Sequence, residues 1–296
     1  MHFRLTAGFK PPMRKVITAV CILLLAAGFL QSLRAIAKPN VPLPFRSDEY
    51  IWLMGGDLYQ QLGIPQLKRL EDRNLVIPNI KQRIRGWPGT YREIFLNLST
   101  FRQALEDGLS PGLVQMVIYN PEQSNTDPST PQSELERGIG AVRAFATLAH
   151  EKGFIAAYAP SCDLIMPGAM HIWANKDPNP LPYWKSCADH LWSKGAPYVD
   201  LIDLQVQGIQ QDVPKYQAAV RYAVPLIRRA NPRIKILAQV STQVPPGSAA
   251  ALYAAAYSVH GLVDGYFLAY RWSLPAEQRV IAAFLSKAMD KFDVRP

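Results

Sequence analysis

One segment of this chain carries polar side chains where a buried strand is expected to be apolar. From Ile202 to Gln207 apolar residues alternate with polar ones, so Asp203, Gln205 and Gln207 share one face. A period of two residues is typical of a β-strand. Parallel strands are normally apolar on both faces because helices cover them. A buried polar group without a partner is destabilising, so this row predicts a hydrogen-bonded network or a ligand site.

The neighbouring predicted strands also end in polar or aromatic residues. In a (β/α) barrel the carboxyl ends of all strands meet at one face, which carries the site. The residues that the sequence places at or near this face are Asn120, Glu122, Asp163, Gln205, Gln207, Gln239, Ser241, Tyr270 and Trp272. Amides and carboxylates bind hydroxyl groups, and an aromatic ring stacks on the C–H face of a sugar. This set therefore predicts a carbohydrate-binding site.

Two of these residues are carboxylates that are well placed for acid–base chemistry. A glycosidase needs two carboxyl groups that flank the scissile bond, and Glu122 and Asp163 are the predicted pair. The alternatives are a solvated loop residue for Glu122 and a turn or helix cap for Asp163. Asp203 lies deeper in its strand and is predicted to be a structural hydrogen-bonding group. For Gln205 and Gln207, a satisfied ladder of interior amides remains the alternative.

The order of elements predicts the fold that would hold this site. Strand signals alternate with helix signals along the chain, for example in the strand Leu113–Tyr119, the strand Val199–Gln207 and the helix Val213–Ala230. Met54-Gly-Gly-Asp57 lacks the glycine spacing of a dinucleotide-binding turn, which disfavours a Rossmann fold. The sequence therefore predicts an α/β protein with a (β/α) TIM-type barrel, either complete or irregular with fewer than eight strands.

The first 37 residues have the pattern of a signal peptide. Basic residues precede an apolar run from Val16 to Leu30, and Ala35-Ile36-Ala37 is a typical cleavage signature. The run is shorter than the roughly 20 residues of a membrane span. We expect cleavage after Ala37, a single barrel domain over residues 38–296, and a secreted or cell-envelope protein without membrane contact. An uncleaved N-terminal anchor is the alternative.

Net charge and cysteine content limit the classes of partner and ligand that the sequence predicts. Of the 32 basic residues five belong to the leader, which leaves 27 basic and 23 acidic residues and a net charge of +4. No basic cluster with interleaved aromatic residues is present, so nucleic acid is not a predicted partner. The predicted partner is a carbohydrate or a cell-wall polymer.

Cys162 and Cys187 predict a disulfide in an exported protein, with two free thiols as the alternative. The spacing of possible ligands predicts neither a metal site nor a cofactor.

Two resemblances bear on function. The spacing Asp200-x-x-Asp203-x-Gln205-x-Gln207 resembles the D-x-x-D-x-D-x-E strand motif of chitinase-like family 18 glycoside hydrolases, which are TIM barrels. That resemblance places Gln207 at the position of the family's catalytic acid, and an amide cannot donate a proton as a carboxylic acid does. It therefore implies a lectin-like barrel or a different chemistry.

A wider resemblance covers most of the chain after the leader. The chain resembles a group of secreted bacterial proteins with glycosidase-like TIM barrels, through motifs that include Tyr119-Asn-Pro-Glu122, Ala159-Pro-x-x-Asp163 and Val263-Asp-Gly-Tyr266. This resemblance implies an exported barrel. Three hypotheses follow: a glycoside hydrolase that uses Glu122 and Asp163, a non-catalytic carbohydrate-binding barrel, and a structural envelope protein whose amides are satisfied internally.

Overall fold

The computed structural model describes residues 43, 45, 50–54, 74–78, 90–121, 132–162, 181–243, 247–270 and 274–292. The predicted leader lies outside these residues, and so do Glu122, Asp163 and Trp272. Residues 41–296 form one compact unit. Within the described part of the chain, every helix is too short or too polar to span a bilayer.

Eight parallel strands form a closed barrel in chain order. The barrel closes where β8 pairs with β1, with Ile51 opposite Gly265. The strands are β1 Ile51–Leu53, β2 Asn74–Pro78, β3 Thr90–Phe95, β4 Met116–Tyr119, β5 Ile155–Tyr158, β6 Leu201–Leu204, β7 Lys235–Ser241 and β8 Gly265–Ala269. The predicted (β/α) barrel is confirmed, and β2 is a strand that the sequence did not indicate.

Helices surround the barrel and connect its strands. They are α1 Leu98–Glu106, α2 Gln132–Glu151, α3 Leu181–Cys187, α4 Val213–Ala230, α5 Ala249–Ser258 and α6 Pro275–Lys291. Three of them begin at a polar cap whose side chain accepts a backbone N–H of the first turn: Asn97, Asp212 and Ser248. A π-helix, Ala188–Trp192, continues α3. Helix α4 has the bounds predicted from the sequence.

The side chains of the strands divide into two apolar layers. The inner layer fills the barrel and includes Ile51, Leu53, Met116, Ile118, Ala157, Leu201 and Leu237. The outer layer packs against the helices and includes Trp52, Val117, Tyr158, Ile202, Leu204 and Val240. Because strand residues alternate between faces, the side chain of Asp203 points into the barrel between those of its outward neighbours Ile202 and Leu204.

The amino-terminal ends of the strands are joined by a repeated hydrogen bond. A polar residue immediately before each of β4, β6 and β8 accepts the N–H of the second residue in the preceding strand. The three pairs are Gln115 with Tyr91, Asp200 with Ala156 and Asp264 with Ile236, at 2.8, 2.9 and 2.7 Å. Each of the two carboxylates also has a basic neighbour. His150 Nε2 lies 2.7 Å from Asp200 Oδ2, and Arg228 Nη2 lies 3.2 Å from Asp264 Oδ2. This end of the barrel is therefore hydrogen-bonded for stability.

Replacement of Asp264 tests this stabilising role. Asp264→Ala leaves the buried N–H of Ile236 without its acceptor, so we expect the free energy of unfolding to fall by about 1–3 kcal/mol. Urea unfolding followed by circular dichroism measures the change. Glu151→Gln on the exposed end of α2 is the control, with an expected change of less than about 0.5 kcal/mol. Equal effects of the two substitutions would contradict the assignment.

A disulfide joins Cys162, which follows β5, to Cys187 at the end of α3. The two Cα atoms are 5.6 Å apart, and both side chains are fully buried. The pairing predicted from the sequence is confirmed, and a disulfide is consistent with export. It ties the segment that leaves the carboxyl end of β5 to a helix of the outer layer.

The disulfide closes a loop with a sequence separation of 25 residues. Constraint of the unfolded chain over such a loop contributes about 3 kcal/mol. We therefore expect reductant to lower the urea midpoint of the wild-type protein. The Cys162→Ala/Cys187→Ala variant should unfold at a lower midpoint that reductant no longer changes. A wild-type midpoint insensitive to reductant, with free thiols verified by titration, would refute the stabilising role.

Candidate functional site

The carboxyl ends of the strands carry a group of buried polar side chains inside the barrel. Five of them are only 2–7 % exposed, namely Arg92, Asp203, Gln205, Gln207 and Gln239. Barrel interiors are usually filled by branched apolar side chains. We call this region, together with Asn120, Ser241 and Tyr270, the mouth of the barrel.

Gln205 is a satisfied member of this group. Its Nε2 donates to Asn120 Oδ1 and to the carbonyl oxygen of Ala159, both at 2.7 Å. The amide therefore links the carboxyl ends of β4, β5 and β6. These two hydrogen bonds agree with the alternative of an internally bonded amide for this residue. Gln205 fixes the position of Asn120 and thereby shapes one side of the mouth.

Gln207 does not lie on the strand that the sequence predicts. Strand β6 ends at Leu204, where the N–H of Val206 bonds back to the carbonyl oxygen of Leu204, and Gln207 begins a turn of 3-10 helix. The predicted strand Val199–Gln207 was too long because the alternation of residue types continues through this turn. Gln207 is nevertheless buried, and its Oε1 has no hydrogen-bond partner among the described residues.

The carboxyl end of β7 is held rigidly by its neighbours. Gln210 bonds to both backbone groups of Ser241, accepting its N–H at 2.8 Å and donating to its carbonyl oxygen at 2.5 Å. The hydroxyl of Tyr216 donates to the carbonyl oxygen of Gln239 at 3.0 Å. Ser241 Oγ in turn accepts the N–H of Gln243 at 3.0 Å.

The side chain of Gln239 contrasts with its rigid backbone. Gln239 follows the inward residue Leu237 on β7, and its Oε1 bonds to no residue that the structure describes. Backbone position is therefore fixed while the amide oxygen is left for another group. This combination is typical of a preorganised ligand contact rather than of a structural amide.

Asp203 and Arg92 form the charged centre of the mouth. Neither carboxylate oxygen of Asp203, nor Nε of Arg92, has a hydrogen-bond partner within the described part of the chain. The guanidinium lies over the ring of Phe267, 5.2 Å from its centroid. The prediction that Asp203 is a structural hydrogen-bonding group is therefore wrong, because it is buried and coupled to Arg92 only through space.

Burial controls the protonation of both groups. It raises the pKa of Asp203 well above its usual range, and the opposing attraction of Arg92 is the weaker effect. Burial also lowers the pKa of Arg92 to about 10, against the opposing effects of Glu93, Tyr270 and Asp203. Arg92 therefore keeps its positive charge at neutral pH, whereas the protonated form of Asp203 is favoured.

The Asp203 pKa predicts a specific dependence of stability on pH. Because the folded state binds this proton more tightly than the unfolded state, its stabilising effect is complete below the unfolded pKa of about 4. The effect is lost as the pH rises towards the folded value. We expect the unfolding free energy of the wild type, relative to that of Asp203→Asn, to fall between pH 4 and pH 8.

Urea unfolding at several pH values checks this prediction. Glu151→Gln removes an exposed carboxylate and serves as the control for a change in net charge. A difference between the wild type and Asp203→Asn that stays constant over this range would show that the proton affinity of Asp203 is the same in both states.

Sequence reasoning missed Arg92. The segment from Arg92 to Leu98 was ambiguous between strand and helix, whereas β3 covers Thr90–Phe95 and α1 begins at Leu98. The alternation of Arg92 and Ile94 with Glu93 and Phe95 was the available signal. It did not decide which face is inward, because each face has one charged and one apolar residue.

The remaining predicted residues have different outcomes. Tyr270 follows β8, is partly buried and acts electrostatically on Arg92. The predicted catalytic pair Glu122 and Asp163, and the predicted stacking residue Trp272, lie outside the described residues. Among the residues described, no group of three or more His, Cys, Asp or Glu side chains could hold a metal ion.

Comparison with known proteins finds only distant similarity. No family model matches the sequence, and no curated protein matches it. The solved structures that match include the following three. A Schiff-base-forming fructose-1,6-bisphosphate aldolase shares 10 % identity over 80 % of this chain and 93 % of its own, with a TM-score of 0.42. The YdjI aldolase of Escherichia coli K12 shares 9 % over 83 % of this chain and 90 % of its own, with a TM-score of 0.40.

The third is a proposed α-L-fucosidase of Bacteroides thetaiotaomicron, with 11 % identity over 86 % of this chain and 97 % of its own and a TM-score of 0.47. At these identities and TM-scores the likeness supports no conclusion about the chemistry of this chain. The resemblance to family 18 glycoside hydrolases is not confirmed.

Proposed function

We propose that this protein is an exported barrel that binds a carbohydrate in its mouth. The observation that carries the proposal is a set of four buried oxygens without a partner among the described residues, on Asp203, Gln207 and Gln239. A hydroxyl group both donates and accepts, so it matches the amide oxygens as well as a protonated carboxyl group. A sugar ring presents several hydroxyls at fixed spacing, so one ligand can satisfy several of these oxygens together.

The energetics of burial support this function. An unsatisfied buried acceptor costs about 1–3 kcal/mol, and apolar residues of similar size would avoid that loss. Polar residues that weaken the fold are typical of binding sites, where stability and function are in conflict. The satisfied amide Gln205 is the exception that fixes the mouth, since it links three strand ends.

A second candidate function is hydrolysis of the bound glycoside. It is favoured by Asp203, because a buried carboxyl whose protonated form is stabilised can act as a general acid. Glu122 and Asp163 remain the carboxyl pair predicted from the sequence. In hydrolysis a carboxylic acid would protonate the glycosidic oxygen as the bond between that oxygen and the anomeric carbon breaks. Water would add to the anomeric carbon and pass its proton to a carboxylate.

Substitution of Gln239 separates binding from folding. Gln239→Met keeps the size of the side chain and removes its unpaired oxygen. We expect the variant to lose at least tenfold in affinity for the glycan that the wild type binds best. The same variant should unfold at an equal or higher urea concentration, because a buried unsatisfied group has been removed.

A glycan array followed by calorimetry measures affinity. Gln103→Met, on the exposed surface of α1, is the matched control that should change neither quantity. Lower stability of Gln239→Met together with unchanged binding would assign this amide to the structure instead. Absence of binding by the wild type across acidic and neutral glycans would refute the proposed function.

A hydrolysis screen decides between the two functions. The glycans that bind are incubated with the wild type and with Glu122→Gln, Asp163→Asn and Asp203→Asn, and the products are resolved by chromatography. Turnover that one of the carboxyl substitutions lowers at least a hundredfold would establish a hydrolase. Binding without turnover would establish a carbohydrate-binding barrel.

A further inference from the structure

The guanidinium of Arg92 is a buried cation with unused hydrogen-bonding capacity. Its side chain is 5 % exposed, and its Nε donates to no residue that the structure describes. Arginine carries five N–H donors in a planar fork and retains its charge at neutral pH. An arginine that served only to support the fold would be expected to donate to carbonyl oxygens or to a carboxylate.

No described carboxylate balances this charge inside the barrel. Asp203 lies within electrostatic range, yet it makes no ion pair with Arg92, and its oxygens accept no hydrogen bond from it. Glu93 is the adjacent residue of β3, so its side chain points to the opposite face of the strand. A buried charge that forms an ion pair with no carboxylate among the described residues is strongly unfavourable, and an anionic group of a ligand would offset that cost.

The surroundings of Arg92 hold its fork in place. The ring of Phe267 on β8 lies beneath the guanidinium at 5.2 Å, and Tyr270 beyond the end of β8 acts on the same charge. Stacking on an aromatic ring fixes the plane of a guanidinium while leaving its N–H edges available. Two parallel N–H groups match the two oxygens of a carboxylate or a phosphate.

We infer that Arg92 binds an anionic oxygen group of the ligand, so that the carbohydrate bound in the mouth is an acidic sugar. This inference rests on the proposed function and names its substrate class. The charged group is a carboxylate, as in a uronic acid, or a phosphate ester on a sugar. Gln207, Gln239 and Asp203 form hydrogen bonds with the hydroxyl groups of the same ligand. Arg92 forms an ion pair with its anionic group.

The first experiment uses the wild-type protein alone. Calorimetry compares glucuronate and galacturonate oligosaccharides with their methyl esters, which keep every hydroxyl and lose the charge. Sugar phosphates and neutral oligosaccharides form the other two arms. We expect the free acids or the phosphates to bind at least tenfold more tightly than their neutral counterparts, and the tighter arm identifies the anionic group.

Two substitutions test the role of Arg92 itself. Arg92→Met should lower affinity for the acidic sugar at least about 30-fold, as expected for truncation of a buried charge pair, and should lower affinity for the neutral ester by a smaller factor. Arg92→Lys keeps the charge but not the fork and should fall between the two. Arg102→Met, at an exposed position of α1, is the matched control.

The outcomes separate this inference from the proposed function. Equal binding of acids and esters by the wild type would overturn the acidic specificity and leave carbohydrate binding intact. Preference for acids that Arg92→Met retains, in a variant shown by circular dichroism to be folded, would overturn the role of Arg92. Failure of every sugar arm to bind would overturn the inference and the proposed function together.

Discussion

Closure of the barrel is the constraint on which the site depends. A closed sheet has no free edge, so every second side chain of each strand must enter one shared interior. Along β6 and β7 this interior changes from apolar to polar towards the carboxyl ends, from Leu201 to Asp203 and from Leu237 to Gln239. Polar groups that would be harmless on a surface therefore face one another in a region of low dielectric constant. There an unpaired donor or acceptor is most destabilising, and a hydrogen bond between such a group and a ligand is strongest.

The two ends of the barrel handle polar groups in opposite ways. At the amino-terminal end, each polar side chain that precedes an even-numbered strand from β4 onward has a specific backbone partner, and Asp200 and Asp264 also have a histidine or an arginine beside them. At the carboxyl end, side-chain oxygens remain unpaired among the described residues although the backbone beneath them is clamped. The bonded arrangement at the amino-terminal end stabilises the fold. That stability offsets the destabilising effect of the unpaired groups at the carboxyl end. A preorganised site needs unpaired side-chain groups on a fixed backbone, since a mobile backbone would allow those groups to form hydrogen bonds with one another.

The sequence predicted the fold better than it predicted the site, and the reason is physical. Helix α4 and the alternation around Asp203 depend on local patterns that the fold preserves. Gln207 was placed on the wrong element because residue types cannot reveal where Val206 bends the chain back to Leu204. Arg92 was missed because the direction of its side chain depends on the register of β3 with β4, a long-range property. Gln205 is bonded because it contacts Asn120, which is distant in sequence. Local sequence therefore could not show that Gln205, and not Gln239, is the bonded amide.

The proposed acidic ligand would also explain why Asp203 and Arg92 can occupy the same interior without forming an ion pair. An ionised Asp203 would repel a ligand carboxylate, whereas a protonated one adds a donor to its acceptor oxygen and can bond to the ligand. Burial already favours the protonated form, and a bound anion would raise the pKa of Asp203 further, since like charges disfavour ionisation. The guanidinium would then form its ion pair with the ligand rather than with Asp203. The charge of Arg92 alone lowers the pKa of Asp203. An anion bound to Arg92 would offset that effect, so the proposed ligand anion and the Asp203 proton would each favour the other.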